Sequence, residues 1–276
     1  MDRVDEKALA RAYNEGLRRE KAGDRAGAAA AYARALALDP ADRGGVAVRL
    51  AAMGMGPVPD RAPPAYVATL FDQHAERFEE ILVGRLGYRT PQDLAAALAP
   101  HGPFARMLDL GCGTGLAAAA LAGATGHRTG VDLAEAMLAL ADETGLYDDL
   151  YLADAEGFLE AAAEEGETWD LIVAADVMPY LGDLGPLIAR AADRLAPGGL
   201  LAFSTERAPE DGREDAPGWV VVPGRRFAHA GPWLRRTLAA AGLATLALEP
   251  VVIRWEEGAP AQGWLAVARR AATPIP

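Results

Sequence analysis

The chain has 276 residues, of which 51% are hydrophobic, so it can bury one large core together with a smaller accessory unit. Its formal net charge of −12 argues against nucleic acid as a partner, because phosphate binding relies on clustered Lys and Arg. A single cysteine excludes a disulfide framework, and no metal is expected. The charged start of the chain and the lack of a long uncharged apolar stretch predict a cytoplasmic protein with no membrane partner.

The first part of the chain, residues 1–56, is predicted to be helical. Helices at 7–21 and 25–38 are separated by a turn, and Pro40 ends the second because proline cannot continue a helix. Small residues, one tyrosine and one proline are spaced as in a single tetratricopeptide repeat (TPR) of about 34 residues, which this segment resembles. The positions are Gly16, Gly23, Ala28, Tyr32, Ala35 and Pro40.

A single repeat of this kind cannot bury its own apolar face. We therefore expect the TPR-like segment to pack on a third helix near 44–53, on the rest of the chain, or on another protein. Glycines and prolines then mark a linker at 54–64, and apolar residues at helical spacing predict a helix over 65–78, followed by one over 91–98. We assign residues 57–100 to this linker and a helical cap.

The remaining residues, 101–276, alternate between strand and helix patterns, which favours a parallel sheet with helices on both faces. Seven strands are predicted, and the last two form a hairpin that makes the final strand antiparallel. The fold class is thus α/β, a Rossmann-like, mostly parallel seven-stranded sheet preceded by a small all-α segment. The predicted strands are 105–110, 128–132, 150–153, 171–175, 200–205, 244–252 and 264–269.

A glycine-rich turn follows the first predicted strand and opens a helix, in the string MLDLGCGTG at 107–115. Glycines at such a turn permit close approach of a ligand to the backbone. Gly111 and Gly113 fit a dinucleotide fingerprint, but residue 116 is Leu where that fingerprint has its third glycine. The misfit argues against a nicotinamide oxidoreductase, which is the alternative among Rossmann enzymes.

Three carboxylates come at the ends of the next strands. Asp132 follows the second strand about 20 residues after the glycines, where a carboxylate accepts hydrogen bonds from ribose hydroxyls. Asp154 and Asp176 follow the third and fourth strands. Because parallel strands end at the same edge of a sheet, these side chains are expected to line one crevice.

In this order, the strings DLGCGTG at 109–115, GVDLAEAML at 130–138 and WDLIVAADVMPY at 169–180 resemble the motifs of class I S-adenosylmethionine-dependent methyltransferases. Ala134 departs from the family, which often has Ser there. The sequence at 66–78 and 87–91 resembles bacterial methyltransferases of this class that carry an N-terminal TPR repeat.

The resemblance implies S-adenosylmethionine as cofactor and S-adenosylhomocysteine as product. It implies that Asp132 holds the ribose, Asp154 the adenine amino group, and Arg89 the cofactor carboxylate. The full set of implied cofactor contacts is Asp109, Gly111, Cys112, Gly113, Thr114, Gly115, Asp132, Leu133, Met137, Asp154, Ala155, Asp176, Val177 and Arg89.

On the acceptor side, the candidate catalytic residues are His229, His74 and Tyr180. A base is needed only if the acceptor must lose a proton. We predict an O, N or S atom of a small molecule as acceptor. The alternatives are a protein-directed methyltransferase that docks its substrate on the TPR-like segment, and a non-catalytic cofactor-binding scaffold. Burial of the apolar face of residues 5–53 on the core would favour the small molecule. The oligomeric state is left open.

Overall fold

The computed structural model describes residues 5–209 and 218–272. The predicted alternation of strands and helices is confirmed. Ten α-helices occur in the described residues: α1 Glu6–Lys21, α2 Arg25–Leu38, α3 Val46–Ala52, α4 Pro64–Asp72, α5 Thr90–Leu98, α6 Leu116–Leu121, α7 Glu135–Glu143, α8 Ala155–Glu165, α9 Gly185–Arg194 and α10 Gly231–Ala240.

The described strands form a single sheet. They are β1 Phe104–Leu110, β2 Thr125–Asp132, β3 Asp149–Leu152, β4 Trp169–Ala174, β5 Leu195–Arg207, β6 Trp219–Val221, β7 Phe227–His229, β8 Leu243–Glu256 and β9 Ala259–Arg270. The order is β3-β2-β1-β4-β5, with β5 parallel to β4 and antiparallel to β9, which pairs in turn with β8. The hairpin β8–β9 is confirmed, and β9 is antiparallel to β5 as predicted.

The prediction of seven strands is wrong, because the described residues contain nine. The two additional strands are β6 and β7, of three residues each, which pair with each other and join the sheet where β7 meets the last residues of β5. Runs this short carry too little alternation of apolar and polar residues to stand out in a sequence.

The central strands are apolar on both faces, as expected for strands covered by helices on both sides. In β4, Leu171 and Val173 point into the core beneath α5 and α6, whereas Ile172 and Ala174 point into the core formed with α8, α9 and α10. Successive side chains of a strand point to opposite faces, so one uninterrupted apolar run serves both cores.

Helices α1 to α3 form a small unit with its own core. Tyr32 is fully buried in it, and its hydroxyl donates to Glu20, which also pairs with Arg49 at 2.8 Å. The unit is docked through α3, where the buried Val48 packs in one cluster with Phe227 of β7. The apolar face of this segment is therefore covered, partly by α3 and partly by the main domain.

The cap differs from its prediction, because the helix expected over 65–78 ends at Asp72. A short 3-10 turn and a π-helix at Glu80–Arg85 follow it. Three contacts fix the cap to the main domain. Asp72 accepts from the amide of Ala136 at 3.0 Å, the Thr114 hydroxyl donates to Glu79 at 2.7 Å, and the amide of Trp255 donates to Leu86 at 2.7 Å. The irregular turns bring Phe71 and Phe78 to within 5.9 Å of each other.

Substituting Gly16 by Ala tests the packing of the helical unit. A Cβ at this position would lie 2.3 Å from the buried Tyr32 ring, so the ring or the helix must move. We expect Gly16→Ala to lower the free energy of unfolding by about 1–3 kcal/mol, measured by urea denaturation and circular dichroism. The control is Gly84→Ala, whose Cβ would meet nothing within 4 Å. Equal stability of the two variants would contradict the packing described.

Candidate functional site

A cleft lies at the carboxyl edge of the sheet, under the cap. It is lined by the loops that follow β1, β2, β3 and β4 and by cap residues such as Phe71 and Tyr88. This is the edge at which open α/β sheets bind ligands. The strand order places β1 and β4 at its centre, with the cleft above them.

The loop after β1 approaches its neighbours too closely for any residue but glycine at its start. Gly111 has a φ of +66°, and a Cβ there would lie 2.3 Å from the Val177 side chain. The amides of Gly111 and Cys112 both donate to the carbonyl of Val131, at 2.7 and 3.0 Å. The loop is thereby folded back over the end of β2, and its remaining surface faces the cleft.

The Asp132 carboxylate fastens the glycine loop to the start of α7. One oxygen accepts from the amide of Gly113 at 2.8 Å, and the other accepts from the amide of Ala134 at 2.9 Å. Burial raises the pKa of Asp132, although these amides oppose the shift. A carboxylate has about four acceptor sites. The amide of Leu133 also opposes the shift, and part of the acceptor capacity of the carboxylate is left for a ligand.

Asp109 lies below the loop and is fully buried. One of its oxygens accepts from the Tyr147 hydroxyl at 2.7 Å, and the other has no hydrogen-bond partner among the described residues. Burial raises the pKa of Asp109 to about 7, against the hydrogen bond from Tyr147. Burial also raises the pKa of the adjacent Cys112 thiol, so this cysteine is a poor nucleophile.

One end of the cleft is closed by the linker. The Arg61 guanidinium lies 3.6 Å from Asp154 and 3.5 Å from Glu156, and the next amide, of Ala62, donates to the carbonyl of Tyr180 at 2.8 Å. Asp154 also accepts from the amide of Gly157 at 3.1 Å, so it caps α8. Arg61 was not predicted as a site residue, because it lies in a segment whose glycines and prolines indicate only a linker.

The opposite end holds a partly buried group of charges. Arg254 of β8 is 3% exposed and contacts Asp176 at 3.4 Å, Glu256 at 2.8 Å and also Glu206. Arg226 contacts the same two glutamates. Burial disfavours the charged form of Arg254, but Asp176 and Glu206 outweigh this effect and the pKa of Arg254 is raised.

The comparisons with known proteins agree with this geometry. Residues 108–201 match the family model described as "Methyltransferase domain". The chain is 35% identical over 104 residues to the ubiquinone biosynthesis O-methyltransferase of Aromatoleum aromaticum, and the match covers 36% of this chain and 43% of that protein. The chain thus spans less than half the length of the curated relatives that it matches.

Solved structures show the same fold over a larger part of the chain. The 1,6-didemethyltoxoflavin-N1-methyltransferase of Burkholderia thailandensis superposes with a TM-score of 0.55 at 21% identity, covering 78% of this chain and 93% of that one. An S-adenosylmethionine-dependent methyltransferase of Clostridium acetobutylicum has a TM-score of 0.53 at 16% identity, covering 73% and 99%. The chain therefore shares the α/β fold of these two methyltransferases.

Most of the residues predicted to contact a cofactor do line the cleft. They are Asp109, Gly111, Cys112, Gly113, Thr114, Asp132, Leu133, Asp154, Ala155, Asp176 and Val177, and the acceptor-side candidate Tyr180 lies with them. Gly115 is not in the lining. Its φ of +95° ends the loop and begins α6, beside Tyr147.

The expectation that His229 contacts the acceptor is corrected. Its side chain is fully buried, with Nδ1 bonded to the Thr205 hydroxyl at 2.6 Å and Nε2 to the carbonyl of Gly182 at 3.0 Å. Its ring stacks on Trp233 and does not line the cleft. Burial lowers the pKa of His229 to about 4. This histidine connects β5, β7 and the loop after β4.

Three further expectations are corrected by position. His74 is exposed on the outer side of the cap, where Nδ1 bonds the carbonyl of Leu70 at 2.7 Å. Arg89 is 69% exposed and pairs with Asp93 at 3.3 Å. Met137 is fully buried beneath the cap. None of these side chains lines the cleft.

Within residues 5–209 and 218–272, no helix has both the length and the apolar character needed to cross a membrane. In the same ranges, no group of three or more His, Cys, Asp or Glu side chains is arranged to hold a metal ion.

The buried Asp109 predicts a pH-dependent difference in stability. In the unfolded chain the Asp109 carboxyl has a pKa near 3.8, whereas in the folded protein its pKa is about 7. Between these values the folded state binds the extra proton, so wild-type stability falls as pH rises. Asp109→Asn removes this titration. Its stability relative to the wild type should therefore increase with pH across that window, by up to about 1.4 kcal/mol per unit in urea unfolding.

His229→Gln is the matched comparison and should show the opposite trend. The pKa of His229 is near 6.5 in the unfolded chain and about 4 in the folded protein. Wild-type stability therefore falls as pH drops through this window, and the glutamine variant gains relative stability at the acidic end. Parallel stability curves for both variants and the wild type would show that neither burial has been described correctly.

Proposed function

We propose that the chain is a methyltransferase that uses S-adenosylmethionine and transfers a methyl group to an O, N or S atom of a small molecule. The observation that supports this most strongly is Asp132, whose carboxylate lies between the glycine loop and α7 with acceptor capacity to spare. The methyltransferase-domain match covers the same residues.

The residues of the cleft fit the proposed cofactor. Asp132 would accept from the ribose hydroxyls, Asp154 would accept from the adenine amino group, and the loop at 111–114 would hold the methionine part against its backbone. When bound, the cofactor supplies a methyl group on a sulfonium, a good leaving group. The task of the protein is then to orient the acceptor and exclude water, for which the cap is suited.

A small acceptor is favoured over a protein for two reasons. The cap is tied to the glycine loop through Glu79 and Thr114 and to β8 through Leu86, which leaves a covered cleft for the acceptor. Within the described residues, the apolar face of the helical unit is also buried against its own α3 and against β7, which argues against its use as a docking groove for a substrate protein. The Burkholderia enzyme was solved with bound 1,6-didemethyltoxoflavin, and the Aromatoleum relative is named for ubiquinone biosynthesis.

The finer assignments belong to the same proposal. We divide the chain into a TPR-like segment at 1–56, a linker and cap at 57–100, and a methyltransferase core at 101–276. The docked α3 supports a structural role for the TPR-like segment.

Tyr180 is proposed to contact the acceptor, because it lines the cleft beside Asp176 and its ring centroid lies 5.4 Å from that of Phe71. We further propose that the protein is cytoplasmic.

Calorimetry with S-adenosylhomocysteine tests the cofactor assignment. We expect Asp132→Ala to weaken its binding by about 1–3 kcal/mol, or roughly 5- to 150-fold, because ribose hydroxyls lose their partner. The loss of the bonds to Gly113 and Ala134 acts in the same direction.

Arg89→Ala serves as control, since this exposed side chain should leave the affinity unchanged. A parallel titration uses NAD. Tight binding of NAD by the wild type, with no heat from S-adenosylhomocysteine, would overturn the proposed function and favour an oxidoreductase.

A further inference from the structure

Beyond the glycine loop, the cap contributes apolar and aromatic walls to the cleft, and the charged residues Asp176, Arg226, Arg254 and Glu256 also line it. The centroid of the Phe71 ring lies 5.4 Å from that of the Tyr180 ring and 5.9 Å from that of the Phe78 ring. Leucines of the cap complete the walls. The lining residues there are Phe71, Phe78, Leu82, Leu86, Tyr88 and Tyr180. Such walls suit a compact, flat or aliphatic molecule and give it little to hydrogen-bond.

Asp176 is one of the charged residues that line this part of the cleft, with Arg226, Arg254 and Glu256. It follows β4 directly, and its φ of +63° is a backbone conformation that few residues other than glycine adopt. Its amide donates to the fully buried hydroxyl of Ser204 at 3.0 Å. The loop is thus held in a strained conformation that places this side chain in the lining of the cleft.

The carboxylate of Asp176 is poorly satisfied by the protein. Its Oδ2 has one contact, with Arg254 at 3.4 Å, and its Oδ1 has no hydrogen-bond partner in the described ranges. By contrast, the carboxylates of Asp154 and Asp132 each have at least two hydrogen-bond or ion-pair partners. A buried carboxylate that lacks donors is destabilising unless another group supplies them.

Arg254 does not supply the missing donors, because the rest of its guanidinium is engaged. Its Nε donates to Glu256 at 2.8 Å and its Nη2 contacts Glu206. Both glutamates are also held by Arg226. The network therefore fixes Arg254 on one side of Asp176. The Asp176 side chain is 18% exposed, and the single 3.4 Å contact of Oδ2 leaves acceptor capacity on this oxygen for a molecule in the cleft.

We propose that Asp176 selects the methyl acceptor by accepting a hydrogen bond from its O–H or N–H group. The acceptor is then a compact, largely apolar molecule whose reacting oxygen or nitrogen carries a hydrogen. Anionic acceptors are disfavoured by the carboxylate, and acceptors without such a hydrogen, such as thioethers and tertiary amines, leave it unsatisfied. This inference rests on the proposed function, since it assigns the acceptor end of the same cleft.

Matched pairs of ring compounds test the proposal by binding alone. The probes are 4-nitrophenol against 4-nitroanisole, and 4-nitroaniline against N,N-dimethyl-4-nitroaniline, titrated into protein saturated with S-adenosylhomocysteine. Each pair shares its ring, and only the first member has a hydrogen to donate. We expect the wild type to bind the donor of at least one pair roughly 10-fold more tightly, as a hydrogen bond to a charged group allows.

Asp176→Gly should abolish this preference and bring the two members of the pair to nearly equal affinity. Glycine accepts the backbone conformation at this position, so the loop keeps its shape. The absorbance of 4-nitrophenol gives a second readout, since it distinguishes phenol from phenolate. The wild type should hold the neutral phenol, and the glycine variant should bind a larger phenolate fraction. Glu160→Gln removes a 70% exposed carboxylate far from the cleft and should leave the preference unchanged.

The outcomes separate the two proposals. If S-adenosylhomocysteine does not bind the wild type, the proposed function fails and takes this inference with it. If it binds but both members of each pair bind equally, or none binds, the role of Asp176 is wrong while the cofactor assignment stands. Retention of the preference in Asp176→Gly would likewise overturn the role assigned to Asp176.

Discussion

One carboxylate ties together the parts on which the cleft depends. Asp132 stands at the tip of β2 and accepts the amide of Gly113 from the neighbouring loop and that of Ala134 from the start of α7. The glycine loop can reach it because Gly111 approaches Val177 more closely than a side chain would allow. The loop, the strand tip and the helix start are thus fixed relative to one another before any ligand arrives, and fixed donors and acceptors bind with less loss of conformational freedom.

The cleft is chemically divided along its length. At one end Arg61 pairs with Asp154 and Glu156, and this end suits a polar, hydrogen-bonding ligand such as adenine. At the other end the cap supplies aromatic and aliphatic walls, interrupted by Asp176 and the charges behind it. Buried ion pairs seldom add net stability. The group around Arg254 is therefore better understood as a device that holds Asp176 in place than as a source of stability.

Much of the fold could be predicted because its signals are local and periodic. The apolar run of β4, the end of α2 before Pro40 and the glycines after β1 are all local signals, and their predicted positions agree with the structure to within a few residues. The predictions that failed concern residues whose surroundings are set by contacts between distant parts of the chain. His229 has the residue type of a base, but its strand pairs inside the sheet and both ring nitrogens are used there. Arg226 and Arg254 were not predicted as site residues, because nothing in the sequence indicates that these two arginines lie close together. The charge of Arg254 beside the apolar residues of β8 was the one feature of the sequence that pointed to this site.

Our central proposal is that Asp132 and the glycine loop bind an adenosine-bearing cofactor. A crystal structure of the protein with S-adenosylhomocysteine tests it most directly. The account predicts both ribose hydroxyl oxygens at about 2.5–3.0 Å from the Asp132 carboxylate, with the thioether sulfur turned toward Asp176. Adenosine bound elsewhere, or an Asp132 that contacts only Gly113 and Ala134 while the ligand is present, would contradict it.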